Sequence, residues 1–141
     1  MNMKRYMNTA LLYGGLAMVG GVFYREFTKF QGFAGETMLS VVHTHYFILG
    51  MMMFLLLMVF EKEFSFSAGK ISGVLALYHV GLNLTVVMFL IRGMTQVLGT
   101  ELDKGANAAI SGVAGIGHIL LGCGIVLLLL QVRKAVCQHN G

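Results

Sequence analysis

Four apolar stretches, each about as long as a bilayer-crossing helix, decide what this chain can fold into. They cover residues 7–24, 39–60, 71–91 and 108–130, and the charges gather between them. At 1.5 Å per residue such runs extend roughly 27–35 Å, enough for the hydrocarbon layer. Only 11% of the 141 residues are charged and 57% are hydrophobic. A soluble domain carries about 25% charged residues, so this chain lacks the polar surface to cover a water-exposed globule. The expected fold is all-α: one polytopic domain over residues 1–141, with four transmembrane helices in an up-down-up-down bundle. Tyr6 and Tyr24 frame the first span as interface tyrosines. A charged start at Lys4-Arg5 before an apolar middle would also suit a signal peptide, but no A-x-A-like site precedes Tyr24-Arg25-Glu26.

The formal charge of +4 resides on lysines and arginines between the spans. This is a topology signal rather than a nucleic-acid patch, which needs a basic stripe. Lys4, Arg5, Lys62, Lys70, Arg133 and Lys134 fall on one side, and Arg25, Lys29, Arg92 and Lys104 on the other. The richer side is the cytoplasmic one, so both termini are expected there. Glu61-Lys62-Glu63 reads as a solvated span end, and Phe27, Phe30 and Phe33 as a segment lying in the interface. Cys123 and Cys137 are 14 residues apart, about 21 Å along one helix, too far to bridge.

Small residues mark the faces along which helices approach in lipid. In the fourth span Ala108, Ser111, Gly115, His118 and Gly122 recur at three and four, which is expected to point His118 into protein. Ala10/Gly14 and Ala17/Gly21 make a similar stripe on the first span.

Within this apolar frame stand four histidines, His43, His45, His79 and His118. An ionisable side chain at membrane depth is a functional-site hypothesis by default. His43 and His45 are two positions apart, about 200° around a helix, so they look in nearly opposite directions and cannot easily share one metal ion. They lie toward the outer boundary. His79 and His118 lie near the midplane, where they could face each other. Asn83, one turn beyond His79, could help satisfy its second ring nitrogen. Arg25 and Arg92, at span ends on the outer side, suit the carboxylates of a haem, although arginines there also snorkel to headgroups. A lone intramembrane histidine is commonly an interhelical hydrogen-bond partner worth about 1 kcal/mol. Four in so short a chain favour a cofactor. The consecutive Met51, Met52 and Met53 point around the helix, as gap-fillers do, rather than at one copper ion.

Two resemblances add to this. Over nearly its whole length the chain resembles a domain-of-unknown-function family of four-span bacterial integral membrane proteins. The carrying segments are residues 21–30, Ser40-Val41-Val42-His43-Thr44-His45, and residues 109–118. That likeness implies a multi-pass protein of the bacterial plasma membrane and no activity. Locally, Val41-Val42-His43-Thr44-His45-Tyr46 resembles the His-x-His helix of haem-copper oxidase catalytic subunits. There the first histidine ligates the high-spin haem and the second the low-spin haem, which implies ligands on opposite faces at His43 and His45. The consecutive His-His pair and tyrosine-linked copper ligand of that family are missing here. Because those subunits are built from three four-helix arcs, the likeness also implies a homotrimer with haem between protomers.

Three readings follow. The first is a b-type haem protein for electron transfer or small-gas binding or sensing, working with a redox partner. Its candidate cofactor- or metal-binding residues are His43, His45, His79 and His118, with Arg25, Arg92 and Asn83 in support. The second is a haem-free transporter or accessory subunit whose histidines move protons or bind copper or another transition metal. The third is a structural membrane subunit. No nucleophile with its base, phosphate loop or paired carboxylates suggests a hydrolytic or transferase enzyme.

Overall fold

The computed structural model describes residues 3–69 and 71–139; Lys70, counted above for orientation, lies outside the described residues. Four helices are long and apolar enough to cross a membrane: α1 (Met3–Phe30), α2 (Met38–Phe64), α3 (Ser72–Val97) and α4 (Lys104–His139). Each outlasts its apolar run, because a helix need not stop where the hydrocarbon does. Its ends carry on into polar sequence until a specific signal stops them.

Those stops are built from local chemistry. Gly32 takes φ 60° after α1, with its N–H on the Lys29 carbonyl and the Phe33 N–H on the Thr28 carbonyl. This is a Schellman closure, which favours glycine because it needs a left-handed residue. Gly99 closes α3 in the same way, at φ 63°. Phe27 and Phe30 therefore belong to α1 itself, and Phe33 follows its closing turn.

Thr37 opens α2, accepting from the Leu39 N–H and donating to the Gly93 carbonyl of α3 at 2.9 Å. Glu61 is more than a solvated end. Its carboxylate accepts from the Ser67 N–H at 3.0 Å and the Ser67 hydroxyl at 2.6 Å, holding the α2–α3 turn.

The helices pack in sequence, α1 on α2, α2 on α3 and α3 on α4, and α3 and α4 bring backbone against backbone. That seam runs through Gly81, Gly117 and Gly124. A Cβ at Gly81 would stand 2.3 Å from the Leu121 nitrogen, and one at Gly117 would stand 2.8 Å from Thr85 Oγ1. The packed face of α4 is thus Gly117, Leu121, Gly124 and Leu128, while Ala108, Ser111, Gly115 and His118 are exposed. This corrects the stripe expected from spacing: small residues line two faces of α4, and the glycines that meet α3 lie about 100° away from His118. On α1 the expected stripe holds, since Ala10, Gly14 and Ala17 are buried and Gly14 meets Met51 of α2. Tyr6, expected at an interface, is fully buried between Phe54 and Phe66.

One stretch departs from the regular helical period. Tyr46–Met52 winds as a π-helix directly after His45. The wider winding lets Gly50 come so close to the Tyr13 ring that a Cβ would stand 2.6 Å from it, and the Leu49 carbonyl accepts from the Tyr78 hydroxyl at 2.5 Å. Such segments recur at functional sites.

Candidate functional site

The described histidines separate into different environments, and each follows from the helix face that carries it. His43 lies on the α1 side of α2, against Gly21 and edge-on to Phe47 at 6.4 Å. Its Nδ1 is buried with no hydrogen-bond partner among the described residues. His45 points the other way, toward α3, edge-on to Phe89 at 4.8 Å. The opposite directions expected from a two-residue offset are therefore observed.

His79 and His118 do not face each other. Tyr78 is buried in the α3–α4 seam, so His79, one position on, turns about 100° toward α1 and α2. There its ring stacks on Phe54 at 4.9 Å and completes a triangle of rings with Tyr13, whose hydroxyl reaches its Nδ1 at 2.5 Å. His118 is displaced outward from Gly117 by the same rotation and is exposed, edge-on to Phe89 at 5.5 Å. Two histidines distant in sequence, His45 and His118, thus flank one phenylalanine. The two ring distances cap their separation at about 10 Å.

The ring nitrogens of this pair are held alike. His45 Nδ1 bonds the Val41 carbonyl at 2.8 Å, and His118 Nδ1 bonds the Ala114 carbonyl at 2.9 Å. A carbonyl can only accept, so in both rings the proton is on Nδ1. In the neutral imidazole Nε2 is then a bare lone pair, and neither Nε2 is hydrogen-bonded to a described residue. That tautomer, fixed by a backbone acceptor, is the usual arrangement of a metal-ligating histidine.

Phe89 also lines an open groove of about 460 Å³ together with Met38, Met88, Ile110, Ala114 and Arg92. The floor is apolar, and the outer end carries Arg92, Gln96, Asn107 and Ser111. Arg92 is oriented across α3 and α4, donating to the Ser111 hydroxyl at 2.7 Å and to the Asn107 side chain. Arg25 does not line this groove; it is exposed, 3.7 Å from Glu26. Among the described residues no group of three or more His, Cys, Asp or Glu could hold a metal ion.

Asn83 belongs to the other histidine. It donates to the Tyr13 hydroxyl at 2.9 Å and to the His79 carbonyl at 2.8 Å, and accepts from the Tyr46 hydroxyl at 2.9 Å. The help expected for His79 thus comes through Tyr13. The tyrosines were the residues that sequence reasoning missed. The heptad Tyr6–Tyr13, in register with Ala10 and Ala17, was the available signal for Tyr13 on the packed face.

The family model described as "Protein of unknown function (DUF2871)" matches residues 3–135. The chain belongs to that family. Among curated proteins and solved structures nothing matches. Membership in DUF2871 accounts for the resemblance over the whole chain and assigns no chemistry to the groove.

Proposed function

We propose that this protein is a b-type haem-binding membrane subunit for electron transfer or small-gas binding, with His45 and His118 as the imidazoles that hold the haem. The observation that carries this reading is the matched state of the two rings: Nδ1–H on a backbone carbonyl, Nε2 bare, both against Phe89. Neither imidazole lines the groove itself; Phe89, which both rings touch, joins them to it. Two neutral imidazoles are enough for a haem, whose porphyrin supplies the other four nitrogens, whereas a bare transition-metal site needs three or four protein donors. Arg92 and Gln96 lie at the groove's polar end, where carboxylates find charge-assisted partners. Phe89, Met88 and Ile110 keep the groove's floor apolar. When bound, haem supplies one-electron redox chemistry or a seat for a diatomic gas. His43, on the α1 side, and His79, whose Nδ1 is taken by Tyr13, fall outside this ligand pair.

Placement in the bacterial plasma membrane with both termini cytoplasmic is part of the same reading. So is a second copy: α4 has only 22% of its most apolar window buried, against 39% for α3, which leaves its outer face for lipid or for a homo-oligomer such as a trimer.

The test is the absorption spectrum of detergent-purified protein made with ample haem. A Soret band is expected. His45→Ala and His118→Ala should each lower haem content at least about tenfold, and His43→Ala and His79→Phe by less than about twofold. No Soret band in the wild type, or full haem content in His118→Ala, would overturn the proposal.

A further inference from the structure

The groove leaves His79 without a role. Its surroundings are unusual for a purely structural imidazole, because the hydrogen bonds around it run in one direction. Tyr46 donates its hydroxyl to Asn83 Oδ1, and Asn83 donates from Nδ2 to the Tyr13 oxygen. Tyr13 then has one proton to give, and His79 Nδ1 receives it at 2.5 Å. Tyr46 and Tyr78 also donate, but to an amide oxygen and to the Leu49 carbonyl, neither of which takes up a proton near neutral pH. Of these three phenols only Tyr13 faces a nitrogen base.

We propose that Tyr13 and His79 form a proton-coupled redox site. A one-electron oxidant within tunnelling reach, such as a high-potential metal complex or an organic radical, takes an electron from the Tyr13 ring. The O–H bond breaks and its proton crosses to His79 Nδ1. The products are a neutral tyrosyl radical, an imidazolium and the oxidant reduced by one electron. Return of an electron to Tyr13 and of the proton from His79 restores the starting pair.

The surroundings favour each product. Asn83 Nδ2 still donates to the oxygen of the radical. The imidazolium lies nearly parallel to the Phe54 ring at a centroid distance of 4.9 Å, where a cation is stabilised by an aromatic face. Tyr13 is only 3% exposed, which shields a radical from solvent. Without His79 the phenol proton would have to leave through an apolar bundle, and an unpaired buried charge is costly.

The experiment uses the full chain in lipid nanodiscs, without haem, so its outcome is independent of the groove. Photogenerated ruthenium(III) tris-bipyridine serves as the oxidant, and the radical is followed by transient absorption and electron paramagnetic resonance. Tyr13→Phe should lower radical yield at least about tenfold, with Tyr46→Phe and Tyr78→Phe within about twofold of the wild type. His79→Phe, which keeps a flat ring in the stack, should slow oxidation about tenfold, and the unaltered chain should react about twofold more slowly in deuterated water. That isotope effect is read on the wild type and does not depend on any variant folding. A wild-type yield in Tyr13→Phe, no isotope effect, or no radical at all would overturn the proposal.

Discussion

Two polar regions sit inside the same apolar bundle and treat their imidazoles in opposite ways. Around Tyr13, Asn83 and Tyr46, the hydrogen bonds close on one another and consume His79 Nδ1. Around Phe89, His45 and His118 each turn one nitrogen into their own helix and leave the other without a partner among the described residues, and Phe89 itself lines the open groove. The difference teaches that depth in the membrane does not by itself mark a ligand. What marks one is which nitrogen the protein has already occupied. A histidine whose acceptor nitrogen is taken by a neighbouring helix holds the bundle together. One whose donor nitrogen is taken by its own backbone keeps the lone pair of its other nitrogen free, as the proposed haem ligation requires.

The sharpest way to break this comparison is to remove the hub of the closed cluster. Asn83→Leu deletes three hydrogen bonds, strands the Tyr46 hydroxyl and leaves the Tyr13 hydroxyl only its bond to His79. It should cost about 2–4 kcal/mol in thermal or denaturant unfolding in detergent, with haem content per folded protein unchanged. Next is the pair Gly117→Ala and Gly115→Ala. A Cβ at Gly117 meets Thr85 at 2.8 Å, whereas one at Gly115 has nothing within 4 Å. The first should lose about 1–3 kcal/mol by overpacking and the second less than about 0.5 kcal/mol, measured by the same unfolding. A smaller effect is expected from Arg92→Gln, which keeps the fold but removes the groove's charge. Haem affinity should fall roughly fivefold, about 1 kcal/mol, in a titration followed at the Soret band. The smallest is the stability change in His118→Ala. Its ring is exposed and bonded only within its own helix, so unfolding should move by less than about 0.5 kcal/mol.

Much of this was legible in the sequence because it rests on long apolar runs and on residue offsets. The four spans, the opposed directions of His43 and His45, and the buried Ala10–Gly14–Ala17 seam follow from composition and a period of 3.6. The face of α4 was misread because Gly115 and Gly117 both belong to small-residue stripes, and only packing against Gly81 and Thr85 decides between them. Tyr13 was passed over for a different reason. Tyrosines in membrane helices usually mark the interface; the heptad with Tyr6 places Tyr13 on the packed face, and the partner helices supply the groups it bonds. The π-helix at Tyr46–Met52 leaves no mark in a pattern read at the regular period, yet it sets Gly50 against Tyr13.

The division of labour among the histidines can be read from one spectrum, nitrogen-15 magnetic resonance of histidine-labelled protein in lipid, recorded before and after haem is added. His45 and His118 should begin protonated on Nδ1 and bare on Nε2, with His79 the reverse, and haem should move only the Nε2 signals of His45 and His118. Nε2 protonated in His45 and His118 at the start, or haem shifting His79 instead, would contradict the account.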